Sequence, residues 1–255
     1  MRNIIHGEDK ILIDEALFFG KGVFETILWK DKPIFLEEHL QRLKKSMEKI
    51  GLLPLEEKML KGYLDNLEIR DKGVKITVTP LNIIINEREI PYIEEDYNRG
   101  MRLTLSKVRR NSTSMLCYIK STCYIENLLE KENAKKIGYD DVIFLNEKGY
   151  VTETSCANIF IVKNKQIYTP KIEDGLLAGI IRRKIIENCN VIEKSITMED
   201  LKESEEVIIT NSLMRVMSVR EIDNVIYDSE KFIHMFNSKL KAITGSCLND
   251  KYNSN

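Results

Sequence analysis

Residues 141–170 constrain the fold more than any other stretch of this chain. DVIFLN (141–146), YVTET (150–154), NIFIVK (158–163) and QIYTP (166–170) are short runs rich in strand formers. Glu147-Lys148-Gly149 joins the first two and Asn164-Lys165 the last two, so they read as two hairpins. Connections this short join antiparallel neighbours, because a parallel pair needs a crossover of about a dozen residues. A repeated βαβ, doubly wound sheet does not fit, and the chain reads as α+β.

The remaining segments agree with that class. GVFETILWK (22–30), VKITVT (74–79), NIIINE (82–87), MRLTLSKV (101–108), Met115–Ile119 and VIITN (207–211) have strand character. Leu36, Leu40, Leu43, Met47 and Ile50 recur at four- and three-residue steps, an amphipathic helix that Gly51 and Pro54 stop. Further helices are expected over Leu55–Leu67, Thr122–Ile137, Ala178–Cys189 and Ser229–Ile243. RRNSTS (109–114) is polar and aperiodic and reads as a linker. The expected organisation is a smaller α/β domain over 1–110, a linker over 111–117 and a larger α/β domain over 118–255, with DKYNSN at the end frayed.

Composition removes several classes of function. Lys+Arg of 39 against Asp+Glu of 40 leaves no basic surplus for nucleic acid. No apolar run is long enough to span a bilayer, and MRNIIHGEDKILID becomes charged too early for a secretory signal. Five cysteines without a Cys-x-x-Cys pair suit free thiols in a reducing, cytoplasmic setting. Three scattered histidines give no metal site. Gly20-Lys21-Gly22 lacks the third glycine of a dinucleotide fingerprint, and a strand follows where a helix is needed.

Chemistry-bearing residues follow one another in a definite order. FFGKGVFETI lies at 18–27 and HLQRL at 39–43. IKSTCYIENLL comes at 119–129, VTETSCANIF at 151–160, GLLAGIIRR at 175–183 and ITNSLMRVMSV at 209–219. A lysine, an acid on a strand, a helix start after glycine and an isolated arginine are the parts that hold pyridoxal phosphate. In this order they resemble the class IV aminotransferase family, the fold type IV pyridoxal-phosphate enzymes, from about Ile11 to about Val219. The resemblance implies two α/β domains, as in the D-amino-acid and branched-chain aminotransferases, with pyridoxal 5'-phosphate between them. It also implies a homodimer with the active site near the domain and subunit interface.

Residue by residue, Lys120 matches the lysine that bonds the cofactor aldehyde, although an arbitrary lysine is usually a solvated surface charge. Glu153 matches the carboxylate that keeps the pyridine nitrogen protonated, with Ser155, Ala157, Asn158 and Phe160 continuing the motif. Arg42, Ser212 and the amides of Ile180 and Ile181 match phosphate contacts, with Ile181 standing where relatives often have threonine. Tyr124 matches the partner of the ring oxygen. The amides of Leu213 and Met214 match a hold on the substrate carboxylate, and Arg109 or Arg110 could supply a further charge. Lys21 replaces a usual aspartate and Cys123 a usual asparagine.

Within the family two reactions compete. Thr26 in Phe24-Glu25-Thr26 stands where branched-chain transaminases have glycine, and it could relay a proton from Lys120. Asn211-Ser212-Leu213-Met214 with Val216-Met217 is similar to the pattern of the 4-amino-4-deoxychorismate lyases, which release 4-aminobenzoate and pyruvate for folate synthesis. Against this, Pro80-Leu81-Asn82 replaces a Gly/Arg-rich segment of those lyases, and Thr26 also occurs in D-amino-acid transaminases. A class IV aminotransferase acting on branched-chain or D-amino acids is the alternative expectation. A non-catalytic cofactor-binding dimer is a third, opposed by the joint presence of Lys120, Glu153 and Arg42.

Overall fold

A computed structural model describes residues 1–7 and 10–244. Cys247 and the expectation for DKYNSN lie outside the described residues. The chain forms two compact units, one of Met1–Pro91 with Ile119–Tyr124 and one of Tyr92–Tyr118 with Ile125–Asn255.

The first unit holds β1 (Asn3–His6), α1 (Glu15–Phe19), β2 (Val23–Trp29), α2 (Leu36–Lys49), α3 (Glu57–Leu64), β3 (Lys72–Val78) and β4 (Asn82–Arg88). Its sheet runs β1-β4-β3-β2, with β2, β3 and β4 antiparallel and β1 parallel to β4. Strand alternation sends Val23, Ile27 and Trp29 to the face where Leu40, Leu43 and Met47 of α2 pack, while Phe24 and Thr26 take the other face. Leu43 is 1% exposed in that core, and truncating such a leucine to alanine costs about 2–5 kcal/mol.

The second unit holds α4 (Glu94–Arg99), β5 (Met101–Arg110), α5 (Ile125–Lys136), β6 (Asp141–Asn146), β7 (Val151–Thr154), β8 (Asn158–Lys163), β9 (Gln166–Pro170), α6 (Ile180–Asn188) and β10 (Val191–Lys194). It continues with α7 (Met198–Lys202), β11 (Glu206–Asn211), β12 (Arg215–Ile222), β13 (Val225–Ile226) and α8 (Lys231–Thr244). The strand order is β10-β9-β8-β11-β12-β5-β6-β7, and β7 also pairs with β8. The path from β8 through β11, β12, β5, β6 and β7 therefore returns to β8 at the Glu153–Asn158 pair, while β9 and β10 extend from β8 to an edge. Both expected hairpins of residues 141–170 are present as antiparallel pairs, β6 with β7 and β8 with β9.

The division into units differs from the expected one: Tyr92–Arg110, expected in the first domain, belongs to the second unit together with the expected linker, and Ile119–Tyr124, expected in the second domain, belongs to the first unit. Arg109 and Arg110 are not linker residues, because β5 runs through them in register with Leu145 and Asn146 of β6. Ile119–Tyr124 belongs to the first unit because the Phe24 N–H donates to the Lys120 carbonyl and Val23 bridges Ser121. That engagement also delays α5 to Ile125, rather than Thr122. Met115–Tyr118 is a 3₁₀ turn and not a strand.

Candidate active site

Lys120 sits on the face of the first unit's sheet that α2 leaves open. Its Nζ lies 4.6 Å from the Phe24 ring centroid and 5.6 Å from that of Tyr124, and the two rings meet edge to face at 5.4 Å. Tyr124 is thus beside the lysine. Thr26 shares the strand face of Phe24 and lies directly across from Lys75.

The opposite face of β2 carries a residue that the sequence reading passed over. Glu25 and His39 have side chains 1% exposed. His39 Nδ1 lies 2.7 Å from Glu25 Oε2, while Arg42 Nε and Nη2 donate to Glu25 Oε1 and Oε2, each at 2.7 Å. Burial pushes the Glu25 carboxyl up, but Arg42 and then His39 more than offset it and hold the group at about 2. Burial also lowers the His39 pKa, against the pull of Glu25. A carboxylate can only accept, so His39 carries its proton on Nδ1 and donates it. Arg42 therefore meets Glu25 with its bidentate edge, and a phosphate must be approached from the other side of the guanidinium.

Lys75 was also missed. Its Nζ stands 4.3 Å from the centroid of the same Phe24 ring that carries Lys120. Burial, then Arg88, lowers its pKa below the ordinary lysine value. The signal was a cation flanked by apolar residues, Val74-Lys75-Ile76, at a position that alternation sends away from the core.

In the second unit Glu153 is half-buried on β7 and fixed at Oε2, which accepts from Asn158 Nδ2 at 3.4 Å and from the Leu177 N–H at 3.2 Å. Asn158 also donates to the Leu177 carbonyl at 2.9 Å, tying the segment before α6 to β8. Gly179 is the N-cap of α6, and a Cβ there would lie 1.9 Å from Asn158 Oδ1, so only glycine lets the helix start so close to the acid. Ile180 and Ile181 open α6, and first-turn amides have no acceptor within their own helix. An amide-lined helix start beside a fixed carboxylate fits a phosphorylated pyridine in donor set and chemistry. Ser212 lies in the turn between β11 and β12.

Two expectations meet structural competition. The amides of Leu213 and Met214 both donate to Asn211 Oδ1, at 2.9 and 2.8 Å, so the side chain of Asn211 already occupies the place given to a substrate carboxylate. Arg109 donates to the Ser106 carbonyl of its own strand at 3.2 Å. Arg110 pairs with Glu126, donates to Asn127 and stacks 3.8 Å from the Phe144 centroid. Of the departures from the family pattern, Lys21 pairs with Glu15 at 2.8 Å, and Cys123 packs where a Cβ on Gly20 would lie 2.5 Å from its sulfur.

The first unit thus carries a lysine over two aromatic rings, and the second a fixed carboxylate beside a glycine-opened helix. The family model described as amino-transferase class IV matches residues 22–222, and the chain belongs to that family. It is accordingly a pyridoxal-phosphate-dependent enzyme with the mixed helix-and-sheet class IV fold. The aminodeoxychorismate lyase of Bacillus subtilis is 29% identical over 85% of this chain and 83% of its own. The D-alanine aminotransferase of Bacillus licheniformis is 29% identical over 82% of each. Among solved structures, the branched-chain aminotransferase of Thermoproteus uzoniensis with norvaline is 25% identical and superposes with a TM-score of 0.82 over 96% of this chain and 92% of that one. Among the described residues no helix is long and apolar enough to cross a membrane, and no His/Cys/Asp/Glu group could hold a metal.

Proposed function

We propose that the enzyme is a 4-amino-4-deoxychorismate lyase that releases 4-aminobenzoate and pyruvate. When bound, pyridoxal phosphate supplies an electron-accepting ring for the carbon that carries the substrate nitrogen. Lys120 would hold the group through its aldehyde, and its amine would serve as the base for the proton on that carbon. Glu153 keeps the ring nitrogen protonated, and Tyr124 hydrogen-bonds the ring oxygen. Ile180, Ile181, Ser212 and Arg42 hold the phosphate. The Thr26 hydroxyl passes a proton from Lys120 to the departing pyruvate.

The observation that carries the lyase reading is Thr26, which stands on the sheet face where the Lys120 amine rests on Phe24. A glycine there would leave the amine without a relay. The likeness of Asn211-Ser212-Leu213-Met214 and Val216-Met217 to the lyases supports the same reading. The second reading, a class IV aminotransferase for branched-chain or D-amino acids, is favoured by the names of two similar proteins. The assembly is taken to be a homodimer, and the product would serve folate synthesis.

Incubation of the loaded enzyme with aminodeoxychorismate separates the two. Equal amounts of 4-aminobenzoate and pyruvate, formed without any amino donor, support the lyase. Glutamate-dependent keto-acid exchange with no aminobenzoate refutes it.

A further inference from the structure

Cys156, in the turn between β7 and β8, belongs to a side-chain cluster that the reaction above does not use. The cluster lies wholly within the second unit. Lys131 reaches it from α5, Asp141 from the start of β6, Asn211 from the end of β11 and Tyr92 from the residues before α4. Cys156 Sγ stands 3.6 Å from Lys131 Nζ and 3.5 Å from Asp141 Oδ2, and Lys131 Nζ is itself 3.5 Å from that oxygen. A thiol, an amine and a carboxylate oxygen thus form a nearly equilateral triangle. The Tyr92 hydroxyl and Asn211 Nδ2 also approach the sulfur, each at 4.0 Å.

Each corner of the triangle has a chemical role. Asp141 is buried, and its Oδ1 accepts from the Val142 N–H, so Oδ2 is the oxygen left to the thiol and the amine. Burial opposes the Lys131 charge, but Cys156 and Asp141 outweigh it and hold the pKa above the ordinary lysine value. A cation beside a thiol favours the thiolate, the form that attacks peroxides. The same cation offsets the repulsion between that thiolate and Asp141. Cys156 and Lys131 are half-buried rather than sealed. The other cysteines differ. Cys117 and Cys123 point their thiols at backbone carbonyls, and burial pushes the Cys117 and Cys189 thiols up. Among the described residues, Cys156 is the one cysteine in hydrogen-bond contact with a lysine amine.

We propose that Cys156 and Lys131 form a modification site, at which a hydroperoxide joins them through a covalent sulfur–nitrogen bond. In the first step the thiolate attacks a peroxide oxygen. The O–O bond breaks and the S–O bond of a sulfenic acid forms, so sulfur is oxidised and the peroxide reduced. The other oxygen leaves with the thiol's former proton, returned by Asp141. In the second step the Lys131 nitrogen attacks that sulfur; the S–N bond forms and the S–O bond breaks. The ammonium loses two protons, one leaving with the hydroxyl as water and one passing to Asp141. An added thiol reverses the reaction, opening the S–N bond to a mixed disulfide that a second thiol reduces. The proposal does not depend on which substrate the enzyme takes.

The test treats the cofactor-loaded full chain with hydrogen peroxide, digests it without reductant and weighs the peptides. The wild type should give the Cys156 and Lys131 peptides as a linked pair, lighter than their sum by two hydrogens, which dithiothreitol separates. Cys156→Ser and Lys131→Met should give none. Lys131→Arg keeps the charge but has no primary amine. It should stop at a sulfenic acid that dimedone traps on Cys156, and it serves if the methionine variant does not fold. No linked pair in the wild type, or Cys156 carried on to a sulfinic acid with Lys131 unlinked, overturns the proposal. So does a link from Cys156 to a different lysine.

Discussion

Replacing Glu25 by Gln changes one atom in a network sealed within the first unit. Glu25 accepts from Arg42 Nε, Arg42 Nη2 and His39 Nδ1, all donors. An amide has one acceptor oxygen, so the variant turns its NH2 towards a donor and leaves the Arg42 charge uncompensated. A carboxyl held at about 2, against an ordinary 4.5, contributes about 3 kcal/mol at neutral pH, at 1.36 kcal/mol for each tenfold change. Breaking a buried pair from one side costs about 3–5 kcal/mol, which agrees. The melting temperature at pH 7 should therefore fall by about 6–12 °C. The acid profile gives a second check. The Glu25 contribution is fully present above 4.5 and is lost as pH falls towards about 2. His39, whose folded pKa is lowered from 6.5, contributes stability that is lost as pH falls below that value. Calorimetric melting from pH 7 to pH 3 should show both losses in the wild type and only the upper one in Glu25→Gln. A variant that melts within 2 °C of wild type, with an unchanged lower limb, refutes the reasoning.

Gly179→Ala should weaken pyridoxal phosphate binding at least tenfold in a fluorescence titration, since its Cβ would meet Asn158 Oδ1 at 1.9 Å; unchanged affinity would remove α6 from the phosphate site. Thr26→Val should lower kcat at least tenfold with KM within twofold, because only the proton relay is lost; an effect on KM alone would make Thr26 a binding residue. Lys75→Met should raise the melting temperature at pH 7, because a lysine whose pKa burial lowers destabilises the fold while it is charged. The same variant should raise KM if Lys75 helps hold an anionic substrate beside Lys120.

The hairpins of residues 141–170 and the α2 stripe were legible because strand alternation and helical periodicity are local. The end of β5 was not. Arg109 and Arg110 look like linker residues until β6 pairs with them, and that pairing spans more than thirty residues of chain. Lys120, Tyr124 and Glu153 could be singled out because each sits in a recognisable motif. Glu25 was hidden because a glutamate on a strand reads as solvent-facing; its burial depends on His39 and Arg42 arriving from α2. The buried state of Arg215 was hidden for a related reason, since only folding reveals that its Nε and Nη2 have no hydrogen-bond partner among the described residues. The fate of the Leu213 and Met214 amides was set by the rotamer of Asn211, which no spacing rule reports.

The central claim is that the amine of Lys120 bonds pyridoxal phosphate. Borohydride reduction of the cofactor-loaded protein, followed by digestion and peptide mass analysis, tests it directly. The account predicts one pyridoxyl adduct, on Lys120, absent from Lys120→Ala. An adduct on Lys75 or another lysine, or none at all, would contradict it.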